Sequence, residues 1–406
     1  MEKPLQGIRV VELSTFVAAP TTGRLLSDMG AEVIKIEQPQ GDGWRDTGYK
    51  PGFFSRKHNP IFDLYNSGKK YISLNVKTRE GMEAMHKLLE RADIFITNLR
   101  ANALERAGLS YEQLKEKYPK LIYGLMLGFG EKGPDAQLPA FDTTAFWSRG
   151  GFLRSLNDAQ YDVPVTAPAG IGDAFTGYLL LSELLAALFR RSRDGKGELV
   201  KAGLYHNAVF GMGTMNIITQ DPDPTVRPIA RKDGPVHMGA FCCGDGEWIY
   251  FIKGSVKEYD KKIATILGLE QLLDDPRYAT PGAIEANRAQ LYPMFREAFL
   301  KQPSDYWLEK LHQIDVGAVR MVHFSDISKD EQAWANDYLE HVQFPDGVTG
   351  VMPTSPLEME SVGKIHSKSA HKVGQDTVAV LQDIGYTEAE ISDMLRFGAV
   401  SDKRKM

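Results

Sequence analysis

Apolar positions along the first half of the chain fall into two alternating periods. Ile8-Arg-Val-Val-Glu-Leu13 and Ala31-Glu-Val-Ile-Lys-Ile-Glu37 are short apolar runs of the kind that form buried strands. Between them, Thr21 to Met29 carries helical spacing, with Pro20 in the first turn and Gly30 behind its end. That is a βαβ unit. The alternation goes on to predict a strand over Tyr71 to Asn75, a helix over Arg79 to Ala92 and a strand over Asp93 to Thr97. Short helices follow around Leu104 and over Tyr111 to Lys117, then a strand over Leu121 to Leu127. An apolar helix through Phe175 to Phe189 ends near Gly195, ahead of a strand over Glu198 to Leu204 and a further helix to about Thr219. Alternation sustained this long predicts an α/β fold, with a parallel sheet covered by helices on both faces.

The character changes at Asp221-Pro-Asp-Pro-Thr-Val-Arg-Pro228, a proline-rich joint that marks a domain boundary. Beyond it the pattern predicts a strand over Trp248 to Lys253 and helices over Val256 to Leu267, Ala286 to Leu300 and Ser304 to Ile314. This is a smaller α+β unit. From about Asp326 a helix over Glu331 to Leu339, a strand-like stretch over His341 to Val351 and further helices follow. The division read from the chain is 1–220, 221–325 and 326–406.

Composition narrows the function classes. Apolar content of 43% and charged content of 25% are those of an ordinary soluble protein, and a net charge of −5 gives no electrostatic case for nucleic acid. The two cysteines, Cys242 and Cys243, are adjacent and cannot staple distant segments, which fits a reducing compartment. The N-terminal residues lack an apolar signal core, and the apolar stretch Tyr178 to Phe189 is short for a bilayer and carries Glu183. The expectation is a cytoplasmic protein without a membrane partner.

Candidate chemistry is sparse. Ser14-Thr-Phe-Val-Ala-Ala-Pro20, the first strand-to-helix turn, has no glycine, so close approach to a dinucleotide pyrophosphate is lost even though Glu37 stands near a ribose-binding position. Gly128-Phe-Gly-Glu-Lys-Gly133 matches GxGxxG formally, but Pro134 and Asp135 follow and no helix opens there. The histidines are scattered without ligand spacing, and no GxSxG elbow is present. No metal is expected. Lys69, Lys70, Lys77, Arg100 and Arg106 form a loose basic set near strand ends, suited to a phosphorylated cofactor at the carboxyl edge of the sheet or simply to solvent. Trp44, Tyr49, Phe53, Phe54 and Phe62 make an aromatic-rich stretch that reads equally as irregular core, subunit contact or substrate wall.

The residue that focuses the chemistry is Asp173, in Ala169-Gly170-Ile171-Gly172-Asp173 ahead of an apolar helix. Gly170 and Gly172 let the backbone approach a ligand, and a helix start favours an ionised carboxylate. Two readings are open on these residues alone. Asp is a preferred N-cap, and a charged, uncrowded carboxylate can be a nucleophile toward an activated acyl group.

Taken together these segments resemble the class III CoA-transferases, the family of formyl-CoA and carnitine CoA-transferases. The resemblance rests on Leu5 to Leu13, Gly30 to Glu37, Asn66 to Lys77, Ala92 to Asn98, Gly128 to Gly130, Gly172-Asp173, Gly195 to Gly197 and Val380 to Tyr386. Phe16 to Pro20, Glu131 to Asp135, Leu138 to Phe146 and Asp330 to Leu339 are most similar to bacterial 2-hydroxyacid CoA-transferases of amino-acid fermentation, of the phenyllactate and 2-hydroxyisocaproate types. The resemblance implies a Rossmann-like large domain built from both ends of the chain, a small domain between them and an intertwined homodimer. It implies coenzyme A, as acyl-CoA substrate and product, and a 2-hydroxy acid as partners, with no metal and no nucleotide. Asp173 aligns with the catalytic aspartate of the family, Gly172 precedes it, and Asp142 matches an acid that orients it. Phe16, Val17 and Ala18 fall at the pantetheine edge, and Leu74, Lys77, Asn98, Leu99 and Arg106 where the adenine and phosphate end is held.

Departures from the pattern count too. Val17 replaces a polar glutamine, Gln38 replaces a CoA-contacting arginine, and the glycine-rich loop of formyl-CoA transferase has no clear counterpart near Gly239. These changes argue against oxalate and suit a bulkier acid, for which Phe146-Trp147 and the aromatic stretch suggest an aromatic or branched side chain. Acyl-CoA racemases share the fold and place a histidine where Phe141 stands. Phe141 cannot exchange a proton, which favours transfer over racemisation.

Overall fold

Six parallel strands and one antiparallel edge strand form the main sheet of this computed structural model, which describes residues 2–47, 58–156, 163, 165–222, 236, 238–252 and 256–402. The parallel strands are β1 (Arg9–Leu13), β2 (Glu32–Glu37), β3 (Lys70–Leu74), β4 (Ile94–Thr97), β5 (Ile122–Leu127) and β6 (Leu199–Gly203). Their spatial order is β3-β2-β1-β4-β5-β6, and Val400–Ser401 pairs antiparallel with the outer side of β3. The α/β expectation therefore holds, but the sheet is mixed rather than purely parallel. A two-residue strand carries no periodic signal, so the sequence could not announce it.

Both faces of the sheet are dry because successive side chains point to opposite sides. On one face Val11, Ile34, Ile72 and Phe95 pack with Leu88 of helix Arg79–Glu90 and with Leu381 and Ile391 from near the chain's other end. On the other, Val10, Val33, Ile96 and Ile122 meet Leu25 and Leu26 of helix Ala18–Asp28 and Leu180 and Leu184 of helix Ile171–Asp194. That last helix runs 24 residues and is long and apolar enough to cross a membrane by length and composition. The reading of Tyr178 to Phe189 as too short missed the turns on either side. In the fold this helix lies across β5 and β6 and packs along helix Ala18–Asp28.

The chain divides into two compact units: Met1–Arg154 with Val165–Thr214 and Glu331–Met406, and Ser155–Pro164 with Met215–Asp330. The second unit has an antiparallel sheet of Met238–Cys242, Trp248–Ile252 and Gly317–Arg320 over helices Pro281–Phe299 and Ser304–Gln313. Its core centres on Phe241 stacked on Phe299 at 4.7 Å, with Trp307 against the same ring. The strands Met238–Cys242 and Gly317–Arg320 were not foreseen, since one is broken by Gly239 and the other has four residues. In the first unit, the strand-like stretch His341 to Val351 is a hairpin, Leu339–Gln343 with Thr349–Pro353, turning at Gly347 with φ of 82°. Pro345-Asp346-Gly347 is the turn signal that reading passed over.

Candidate active site

Strand order reverses between β1 and β4: β2 and β3 follow on one side, β5 and β6 on the other. Open α/β sheets bind ligands in the crevice at the carboxyl ends of two such strands. A cleft of 380 Å3 opens there, with Thr15 and Phe16 after β1, Asn98 and Leu99 after β4, Gly128 and Phe129 after β5, and Asp173 on its wall.

The turn after β1 is held in an unfavourable shape. Phe16 has φ of 64°, a left-handed conformation that a bulky side chain rarely adopts. Two clamps fix it. Asn98 exchanges hydrogen bonds with Thr15, accepting from its N–H at 3.1 Å and donating to its carbonyl at 2.7 Å. The Phe16 N–H donates to Asp42 Oδ1 at 3.3 Å.

Asp42 is in turn paired with Lys35 at 3.2 Å, and Lys35 also donates to Glu12 and the Ser14 carbonyl, each at 3.0 Å. The second oxygen of Glu12 meets Lys69 at 2.8 Å, and Lys69 donates to the Pro20 carbonyl and to Asn66. Burial penalises every charge here, yet the two ammonium groups hold Glu12 below the usual carboxylate range, and its acidic neighbours hold Lys35 above the usual lysine range. Lys69, buried and close to Lys35, is pushed down to about 8. Above this ionic floor the Phe16 ring packs against Trp44 and Phe141, with centroids 6.0 and 5.8 Å away.

Asp142 and Asp173 meet across the other wall. Asp142 opens a π-helical turn, Asp142–Ser148, a wide coil often found at functional sites. Its carboxylate accepts from the Gly170 N–H at 2.9 Å and the Asp173 N–H at 3.2 Å. Asp142 is thus the cap of helix Ile171–Asp194. The N-cap position itself is Gly170, with φ of 82°, and Asp173 is the third helical residue. The capping reading of Asp173 is therefore replaced: another segment does that work and leaves the Asp173 carboxylate without a hydrogen bond or ion pair among the described residues. Burial, reinforced by the charge of Asp142, pushes its carboxyl up to about 7. Gly172 is required by close approach, since a Cβ there would stand 2.3 Å from Phe146 and 2.4 Å from Asp142.

The other expected positions scatter. Phe16 and Ala18 line the cleft, while Val17 is buried behind them. Asn98 and Leu99 line it as well, although the Asn98 amide is occupied by Thr15. Leu74 is buried in the core, Lys77 and Arg106 are exposed, and none of these three lines the cleft. Of the aromatic stretch, Trp44 touches Phe16 and Phe62 is buried beneath Arg45, whose guanidinium lies 4.1 Å from its ring. Tyr49, Phe53 and Phe54 lie outside the described residues. Phe146 and Trp147 pack with Phe152 in a satellite core rather than lining the cleft. Two residues near the site escaped the sequence reading. Asp42 sits in an unremarkable Gly-Asp-Gly, and Tyr65 reaches the start of helix Ile171–Asp194 from helix Pro60–Asn66.

A family model described as CoA-transferase family III matches residues 5–377. The chain is 40% identical over 395 residues to the (R)-2-hydroxy-4-methylpentanoate CoA-transferase of Clostridioides difficile, covering 96% of this chain and 97% of that one. It is 37% identical over 395 residues to the cinnamoyl-CoA:phenyllactate CoA-transferase of Clostridium sporogenes, covering 96% and 95%. A crystal structure of a CAIB/BAIF family protein from Brucella suis superposes with a TM-score of 0.78 at 28% identity, covering 95% of this chain and all of the other.

Proposed function

Because the chain belongs to CoA-transferase family III, we propose that it moves CoA from an acyl-CoA, an enoyl-CoA in the first instance, to a 2-hydroxycarboxylate, with Asp173 as nucleophile. The observation that carries this reading is the carboxylate of Asp173 on the wall of the switch-point cleft, unpaired among the described residues. One Asp173 oxygen adds to the thioester carbonyl carbon. As the tetrahedral adduct collapses, the C–S bond breaks, its electron pair leaves with the CoA thiolate, and an aspartyl mixed anhydride remains. Subsequent acyl and thiolate exchanges return free Asp173, with the donor's acid released and CoA on the acceptor. The anhydride keeps the activation of the thioester, so transfer balances without ATP.

Asp142 supports the nucleophile from behind by taking the helix N–H groups that would otherwise compete for Asp173. Asn98 and Asp42 hold the turn that presents Phe16 and Ala18 to the pantetheine arm. Phe16, Leu99, Phe129, Leu138 and Phe141 line the cleft, which suits an acceptor with an aromatic or branched side chain. The reading includes an intertwined homodimer working in the cytoplasm. The homodimer is supported by apolar side chains left in solvent on the single chain, with Phe175 53% and Phe210 85% exposed.

The test is direct. Pure protein incubated with an enoyl-CoA should form 2-hydroxyacyl-CoA from phenyllactate or 2-hydroxy-4-methylpentanoate, at a kcat/KM at least tenfold above that for acetate or oxalate. A preference for acetate or oxalate contradicts the acceptor class. Solvent α-proton exchange in an acyl-CoA without any acceptor acid would mark a racemase instead.

The nucleophile must be ionised to attack, so its raised pKa limits the rate on the acid side. We expect kcat/KM for the acyl-CoA to rise tenfold per pH unit and level off above about 7. Asp142→Asn removes the second cause of that shift and should move the limb toward lower pH. A wild-type limb at the ordinary carboxylate range, near 4, would contradict the assignment.

A further inference from the structure

The chemistry proposed for Asp173 develops a negative oxygen at each tetrahedral stage, and such an oxygen needs a preorganised donor. Val17, on the turn facing this place, offers only methyl groups: a Cβ built on Gly170 would lie 3.9 Å from Val17 Cγ1. The same Cβ would lie 3.0 Å from the Tyr65 hydroxyl oxygen. Gly170 is three residues before Asp173, and its N–H is bonded to Asp142, so the phenol stands over the first turn that carries the nucleophile.

Among the described residues, nothing uses that hydroxyl. Tyr65 lies on helix Pro60–Asn66, which packs on helix Ala18–Asp28, and its ring is half-buried. The neighbouring side chains of the same helix are committed: Asp63 accepts from the Ala370 N–H and pairs with His58, and Asn66 accepts from Lys69. No hydrogen bond to the Tyr65 hydroxyl is present among the described residues. Half-buried phenols usually find a partner, and an unused one beside a nucleophile is available to substrate.

The geometry points to Tyr65 as a catalytic hydrogen-bond donor to the thioester-derived oxyanion. This rests on Asp173 being the nucleophile. When the Asp173 oxygen adds to the carbonyl carbon, the π pair of the C=O moves onto oxygen and Tyr65 O–H donates to it without surrendering the proton. The pair then returns, the C–S bond breaks, and CoA leaves as thiolate. Burial first, then the charge of Asp173, push the phenol up to about 12, so at neutral pH it stays protonated and can only donate.

Tyr65→Phe removes one oxygen and keeps the ring. Rapid mixing with acyl-CoA, followed by quenching and intact-protein mass spectrometry, reads the rate at which Asp173 becomes acylated. The expected result is a rate about a hundredfold slower than wild type, the size of effect seen when one oxyanion donor is deleted, with KM for the acyl-CoA changed less than about twofold and an unchanged melting temperature. A fluorinated tyrosine at position 65, which is a stronger donor, should acylate at least as fast as wild type. Acylation of Tyr65→Phe at the wild-type rate overturns the proposal and leaves Asp173 standing. So does a rise in KM with kcat unchanged, which would make Tyr65 a binding contact only. Absence of any adduct on wild-type Asp173 fails the nucleophile assignment and takes this proposal with it.

Discussion

Asp173→Ala is expected to lower CoA exchange by on the order of 10^4-fold or more, because under the proposed mechanism it removes the atom that receives the acyl group. The structure makes this more than a loss of charge. Helix Ile171–Asp194 is capped by Asp142, so alanine at the third helical position leaves the hydrogen bonds to Gly170 and Asp173 N–H in place. The variant should fold and bind acyl-CoA, with its melting temperature within a few degrees of wild type. Wild-type protein mixed with acyl-CoA and quenched with hydroxylamine should carry a hydroxamate at Asp173, and borohydride should reduce the same residue. Peptide mapping of the variant should find neither. Asp173→Asn, nearly the same shape without a nucleophilic oxygen anion, should be as inactive as alanine. Turnover that persisted in both variants, with no label on the wild-type residue, would remove Asp173 from the chemistry altogether.

Lys35→Met should cost about 3–5 kcal/mol of stability, the range for removing one partner from a buried ion group. Lys35 and Glu12 are fully buried, and Lys69 and Asp42 are 2% and 3% exposed, so solvent has little access to the groups the ammonium would leave behind. Methionine fills the volume but leaves Asp42 without its cation and gives Glu12 only Lys69. Denaturant titration checks the size. The effect should also reach the site, because Asp42 holds the Phe16 N–H and Lys35 the Ser14 carbonyl. With that clamp loosened, Phe16 is free to leave its left-handed conformation, and KM for acyl-CoA should rise together with the loss of stability. The sign of the pH dependence follows from the two shifts. Glu12, held below its ordinary range, stabilises above that range, and the contribution is lost as pH falls through its folded value. Lys35, held above its ordinary range, stabilises below it, and the contribution is lost as pH rises. Lys35→Met should therefore flatten the stability profile at both ends. A variant within 1 kcal/mol of wild type, with unchanged KM, would show the ion group to be idle.

Much of the sheet could be read from the chain because its strands are buried on both faces and appear as unbroken apolar runs, Ile8 to Leu13 and Ala31 to Glu37 among them. Helix Ala18–Asp28 began a turn earlier than Thr21, since Ala18 and Ala19 join it once Phe16 turns the chain. Strands Met238–Cys242 and Gly317–Arg320 were hidden for the opposite reason: short, half-exposed strands lack a distinctive period. Asp173 stood out as a candidate because Gly-Ile-Gly-Asp ahead of an apolar helix is a local signal. Asp142 needed the family resemblance, because its partners lie 28 and 31 residues away. Asp42 and Tyr65 were invisible, as each acts through a turn or helix brought to it only by the finished sheet.

The antiparallel strand Val400–Ser401 lies against Leu74 and Ser73 at the rim of the main sheet, and Thr377 donates from its hydroxyl to Ser401. During synthesis on the ribosome, β3 emerges long before the residues that shield it. Until then it is a bare edge able to recruit any passing strand. Closing this edge thus waits on a segment more than 300 residues downstream, and a nascent chain stalled before residue 400 should be a client for chaperones.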